Sequence, residues 1–519
     1  MDLSPFLRLA ARRRLTRLQR MDPVQAQARA LLGMVKHAAW TRFGVEHDFA
    51  NIRCVRDFQD RVPVRQFDDF WAEYWKERWP ILDNVSWPGR IPFFAMTSGT
   101  TTGRTKYIPV TRGIIKDNER TGFDLMTFHL AHRPSSRPLS GKSFILGGST
   151  ALDEVAPGIF AGDVSGINTK LTPAWVKRNI FPSSEQARLS HWDEKLEVLS
   201  RAVLSERVTM MSGMCNWVLF MLDRIREFKR QAGTLNGPTF PDLQLLIHGG
   251  VAMDIYRDRL RPHLEGSPVE TRELYPASEG FIACADRQPG EGLRLMCDHR
   301  LFLEFIPMSE LGSARPVRHW ATNLERDLDY ALVLSNCAGL WAYLLGDVVR
   351  FVDARPPRLL ILGRISQKLN SFGEHLIAAE LEAAVQNAAQ ETGIVVAEFT
   401  VGPVFPERPG EPGHHVYVVE TASGLPITDS RFAAHLDRVL RANNYDYDGH
   451  RRGDSAIGPP RIRWVAPGTF EGWMRAKAKM GRQHKVPHVT PAPDRFAAMC
   501  QELGVPVEST KPEPQVEHA

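Results

Sequence analysis

The sequence predicts an α/β protein, with a large N-terminal domain of layered sheets and helices and a small C-terminal α+β domain. Three observations carry that expectation. Short apolar runs ending in glycine alternate with helical segments from about residue 140. The texture changes again near residue 363, where a strand-like run gives way to a polar stretch and a new helix. The 519 residues, 43% hydrophobic, 24% charged and 9% aromatic, suit roughly two to four globular domains.

Residues 1 to about 90 read as helices. The opening MDLSPFLRLAARRRLTRL is expected to pack through Phe6, Leu7 and Leu9 rather than lie on a membrane. Phe67, Phe70, Trp71, Tyr74 and Trp75 recur at helical spacing and form one core stripe. KSFILGG (142–148), VTMMSG (208–213) and LQLLIHGG (243–250) each read as a buried strand entering a glycine turn, with a helix such as 216–228 between them. LRLMC (293–297) and LFLEFI (301–306) read as a hairpin around 298–300, and 331–352 as two strands turning at Ala338 and Gly339. A boundary near 363 gives domains 1–362 and 363–519, with a hinge at about 363–370. The small domain is expected to hold helices at 374–390, 429–443 and 470–480 and strands at 395–401, 414–420 and 461–466. A disordered tail is expected from about 507.

Several function classes are excluded by composition. A net charge of +5 on so large a surface, with no long basic run after residue 20, argues against nucleic-acid binding. No run approaches the ~18 apolar residues of a membrane span, and the N-terminal arginines follow the apolar patch, the wrong order for a secretory signal. Stable membrane association is therefore not expected. Six cysteines without CxxC or regular spacing fit a reducing cytosol rather than a disulfide framework or zinc site. His414 and His415 lack a third ligand at metal spacing and read as surface residues. Ser212 lacks the glycines of a nucleophile elbow.

The most informative stretch is TSGTTTGRTK (97–106). Its glycines let the backbone approach an anion, its hydroxyls and amides donate to phosphate oxygens, and Lys106 adds charge. It is not a Walker loop. Further candidates are HGGV (248–251), YPASEG (275–280), YLLGDVV (343–349), GRISQKLN (363–370) and, near the end, GTFEGWMRAKAKMGRQHKVPHV. By strand-end position alone, Leu146, Gly147, Met214, Asn216 and Trp217 are candidates for a substrate pocket, although Trp217 suits core packing better.

TSGTTTGRTKYIPVT resembles the phosphate loop of the acyl-adenylate-forming superfamily, and its KYIPVT ending is similar to the acyl acid–amido synthetase branch, the auxin-responsive promoter family of plants with bacterial relatives. The other five segments match in order, from about residue 94 to 488. Thr105 stands where proline is common, and Ser366 where the hinge aspartate is usual. The resemblance implies the adenylate-forming enzyme fold, with ATP and Mg²⁺. Ser98, Gly99, Thr100, Thr101 and Lys106 would hold phosphates; Gly249 and Gly250 would cradle adenine beside Tyr275. Ser278 would donate to the α-phosphate, Glu279 hold Mg²⁺, Asp347 accept from the ribose and Arg364 touch ribose or phosphate. Lys485 would be the catalytic lysine of the mobile domain, with Lys477 and Lys479 as competitors. The implied activity is ATP-dependent adenylation of a carboxylic acid and acyl transfer to an amino acid or other amine, by a cytoplasmic monomer. An acyl-CoA or carrier-loading ligase is the alternative, and a catalytically dead binding protein a third reading.

Overall fold

The computed structural model describes residues 4–98, 105–189, 192–249, 257–365, 369, 371–372, 374, 376–405, 412–422, 424, 430–451, 457–477 and 486–507. The chain forms two compact units, one ending at Leu360 and the other beginning at Ile361. The expected tail from about 507 lies almost wholly outside the described residues.

The first unit opens with helices, as the periodicity requires. Asp22 ends one helix and starts the next: its carboxylate accepts from Val24 N at 2.9 Å, and Pro23 occupies the first position of Pro23–Ala38. Phe67, Phe70, Tyr74 and Trp75 are buried as the stripe demands. The first helix, Ser4–Arg20, packs differently from expectation: Phe6 and Leu9 are 75% and 54% exposed, while Ala11 and Leu18 are buried. The reason is polar. Arg14 points inward and bonds both Asp124 and Asp298, which rotates the face carrying Phe6 and Leu9 outward.

An eleven-stranded sheet forms the core of this unit. From edge to edge it runs Leu301–Pro307, Asp329–Asn336, Tyr343–Ala354, Pro357–Arg364, Leu293–Leu295, Gly280–Cys284, Glu270–Ala277, Leu245–Gly249, Val208–Gly213, Lys142–Leu146 and Ile180–Phe181. The last five pair in parallel, and the described pairings among the others are antiparallel. The strands expected at the apolar runs of 142–148, 208–213 and 243–250 are therefore present, with helices such as Cys215–Gln231 between them. A four-stranded sheet, ordered Thr105–Val110, Phe93–Ser98, Ile159–Gly162, Leu152–Ala156, lies in the same unit.

The expected hairpin over 293–306 does not form. Leu293–Leu295 sits between two interior strands, whereas Leu301–Pro307 is an edge strand. The linking residues are held elsewhere: Arg300 N donates to Asp117 on the helix Arg112–His132, and Asp298 is held by Arg14. The chain is thus drawn across the sheet instead of folding back.

The second unit has a three-stranded sheet, Val396–Val404, His414–Thr421 and Arg461–Val465; the helices Ala378–Thr392 and Ser430–Asn443 pack against each other, and Pro493–Glu502 packs on Val396–Val404. The helices Tyr445–Arg451 and Pro493–Glu502 were not expected from the sequence. His415 is not a surface residue. It is fully buried, with Nε2 2.9 Å from Glu374.

Candidate active site

Parallel pairing places four strand ends in one row. Leu146 lies opposite Gly213, Gly213 opposite His248, and Gly249 opposite Leu274. Ligands of open α/β sheets bind at this carboxyl edge. Leu146, Gly147 and Met214 are thereby brought to neighbouring strand ends. Trp217 is buried in the first turn of Cys215–Gln231 and belongs to the core; Asn216 shares that turn, and its side chain is outside the described residues. Gly249 answers to close packing: a Cβ there would lie 2.2 Å from the carbonyl oxygen of Leu274. Gly250 is outside the described residues.

One strand further along, Glu270–Ala277 turns through Ser278 and Glu279 into Gly280–Cys284, with Ala277 paired to Gly280. Two asparagines hold this turn. Asn336 Nδ2 donates to the carbonyl of Glu279 at 2.8 Å, and Asn118 accepts from Phe281 N at 3.1 Å. Glu279 is 6% exposed. Tyr275, at the same strand end, donates its hydroxyl to Asp347 Oδ2 at 2.5 Å. Asp347 is 8% exposed on Tyr343–Ala354, so two segments 72 residues apart in sequence meet in one polar contact. A carboxylate carries about four acceptor positions, and one of these is filled by Tyr275.

The 97–106 stretch straddles a hairpin. Thr97 pairs with Lys106 and Ser98 with Thr105, so residues 99–104 join two antiparallel strand ends. Gly99, Thr100 and Thr101 lie outside the described residues, as does the side chain of Ser98. The Lys106 ammonium lies over the Phe67 ring, 5.5 Å from its centre, a cation–π contact.

Arg364 closes the strand Pro357–Arg364 and is half-buried. Gly363 before it has φ +130°, and a Cβ would meet that of Ala378 at 2.8 Å, so glycine is required at the start of the expected hinge. Ser366, Lys479 and Lys485 lie outside the described residues. Lys477 is engaged, with its ammonium 2.5 Å from Glu502.

Sequence reasoning missed Lys195. It lies on the helix Trp192–Ala202, is only 2% exposed, and donates to the carbonyls of Gly147 and Gly148 at 2.9 and 2.8 Å. Burial pulls its ammonium down to about 8. The signal was present: Lys195 stands one helical turn before the buried Leu199, on the apolar stripe where a lysine is out of place. One acidic cluster is not a metal site on this geometry. Asp124, Asp298 and His299 bring ligand atoms within 4.8 Å of one another, but Arg14 already lies 2.6 to 3.1 Å from both carboxylates.

Comparison with known proteins matches residues 13–269 to the GH3 family N-terminal domain, 294–364 to the GH3 family central domain and 379–494 to the GH3 family C-terminal domain. Among curated relatives, indole-3-acetic acid-amido synthetase GH3.8 of Oryza sativa subsp. indica is 27% identical over 281 residues, covering 49% of this chain and 44% of the relative. The chain spans about half the length of the curated relatives it matches. The solved structure of AtGH3.15 acyl acid amido synthetase in complex with 2,4-DB superposes with a TM-score of 0.76 at 17% identity, covering 95% of each chain. A 2-hydroxyisobutyryl-CoA ligase in the postadenylation state superposes at 0.57, with 17% identity and 94% of each chain covered. Both likenesses concern the fold. Matched in its N-terminal, central and C-terminal regions alike, the chain belongs to the GH3 family.

Proposed function

We propose that the protein is an ATP-dependent acyl acid–amido synthetase, a ligase that adenylates a carboxylic acid and passes the acyl group to an amino acid or other amine. The observation that carries this reading is the meeting of Tyr275 and Asp347 beside the turn of Ser278 and Glu279, at the carboxyl edge of the sheet. Tyr275 holds Asp347 by one oxygen, and in this reading the acceptor-only carboxylate of Asp347 takes the ribose hydroxyls when ATP binds. The family's N-terminal, central and C-terminal domains all match, and curated relatives similar to about half of this chain are named as amido synthetases.

In the first half-reaction an oxygen of the acid attacks the α-phosphorus of ATP, a new P–O bond forms and pyrophosphate leaves. The hydroxyl of Ser278, the ammonium of Lys106 and donors of the 97–106 loop offset the negative charge. Glu279 fits a hard cation, because it is an oxygen donor on a turn whose main chain is tied back by Asn336. Mg²⁺, when bound, neutralises phosphate charge. In the second half-reaction the amine nitrogen attacks the acyl carbon, AMP leaves and the nitrogen gives up a proton. The C-terminal domain turns about 363–370 between the two, and Lys485 serves the first. We place this chemistry in the cytosol, on a monomer. Among the described residues no helix is long and apolar enough to cross a membrane.

Exchange of labelled pyrophosphate into ATP, run across a panel of indole, aryl and aliphatic acids, tests the reading. Exchange with at least one acid is expected, followed by amide formation when amino acids are added. A CoA thioester without amide would favour the acyl-CoA ligase alternative. No exchange with any acid would sink both readings.

A further inference from the structure

The segment bearing Lys485 continues as Val486, Pro487 and His488. His488 is bound on both sides of its ring: Nδ1 lies 2.6 Å from Glu382 and Nε2 2.9 Å from Glu398. Carboxylates only accept, so both ring nitrogens donate and the ring is an imidazolium. Its face stacks on Phe399, with centroids 4.5 Å apart and 21° between planes. Only 11% of the side chain is exposed. Both glutamates stand on regular elements, the helix Ala378–Thr392 and the strand Val396–Val404.

The backbone is fastened at the same place. Val401 N donates to His488 O, and Thr490 N to Val401 O, each at 2.8 Å. Thr400 Oγ1 donates to Pro487 O at 2.7 Å. His488 therefore anchors a backbone strap as well as a side chain.

We propose that His488 is a positioning residue for adenylation, whose doubly bonded ring fixes the root of the segment from which Lys485 acts. The inference rests on the proposed function for the role of Lys485. Three residues of chain reach about 10 Å at most, so anchoring His488 confines the Lys485 backbone to a short radius. Pro487 narrows the choice further by fixing its own φ and restricting Val486. With both donors committed to glutamates, His488 has none left for substrate, and its effect passes through the segment. Without the imidazolium, Glu382 and Glu398 would lose the cation that bridges them, and the strap would loosen.

The test uses the full-length protein with His488→Asn and His488→Arg, and the acid that gives the wild-type protein its fastest pyrophosphate exchange. His488→Asn is expected to lower the exchange kcat about tenfold or more, with KM for ATP and acid within about twofold. Amide formation from the chemically synthesised adenylate of the same acid should be spared. His488→Arg keeps a cation between the glutamates and should recover most of the exchange rate. Hydrogen exchange at the Val401 and Thr490 amides should quicken in the asparagine variant only. Parallel loss of both half-reactions, no loss of either, or an arginine variant no better than asparagine would overturn the proposal. If His488→Asn does not fold, Glu382→Gln leaves the Glu398 bond and should show the same split in weaker form; an equal effect on both half-reactions, or none, overturns it there. A wild-type protein inactive with every acid would refute the synthetase reading itself and, with it, the adenylation role of His488. The amide exchange would still judge the clamp.

Discussion

The Tyr275 hydroxyl donates to Asp347 Oδ2 at 2.5 Å, and both residues are buried. Tyr275→Phe removes one hydrogen bond to a charged group, worth about 1.5–3 kcal/mol. A lower melting temperature of the ligand-free protein together with weaker ATP binding is expected, both measured by calorimetry. Asp347→Ala should weaken ATP binding further without unfolding the chain; normal ATP affinity would make Asp347 structural. Glu279→Gln should abolish pyrophosphate exchange at ordinary Mg²⁺ concentrations, since an amide is a poor ligand for a hard cation. Its turn should persist, because Asn336 holds the Glu279 carbonyl and not its side chain. At this scale the sequence names residue types and not the contacts that support them. Ser278, Glu279 and Asp347 carry reactive groups in recognisable strings, whereas Asn118, Asn336 and Lys195 act through contacts that only folding creates.

Elements respond to the space and charge between them. Gly249→Ala sets a methyl group against the carbonyl oxygen of Leu274, so two core strands must part. A loss of about 1–3 kcal/mol is expected from such overpacking, read as a lower urea midpoint. The strap at His488 predicts a pH response. Burial disfavours its charge, but Glu398 and Glu382 outweigh burial and raise the imidazolium to about 10. A raised pKa in the folded state means that this stabilisation is complete below the ordinary value of 6.5 and lost as pH rises to about 10. Urea unfolding across that window should show the wild-type protein losing stability faster than His488→Asn; parallel curves would contradict the clamp. The failed hairpin at 293–306 belongs to the same scale. Two strand-like runs with a polar link look like neighbours, yet Asp117 and Arg14 outbid the turn for its residues.

For the whole molecule, the proposal separates the two half-reactions. Lys485 lies some 120 residues beyond the proposed hinge at 363–370, and a compact ammonium reaching the phosphates would offset the charge that develops as pyrophosphate departs. Lys485→Ala should slow adenylate formation and spare amide formation from a synthetic adenylate. Equal loss of both would indicate a docking or folding defect, and no loss would pass the role to Lys479 or Lys477. Lys477 is the weaker competitor, since its ammonium is already paired with Glu502.

The sequence by itself determined the α/β class, the glycine-ended strands, the N-terminal helices and the segments of the candidate site. Those features depend on local periodicity and on residue types whose chemistry does not change with context. Only the tertiary structure decided which strands are neighbours, which face of the first helix turns inward, that His415 is buried, and that Tyr275 serves Asp347. Each of these was settled by a polar partner far along the chain, and buried charge must find its partner in space. No window of sequence contains that distance.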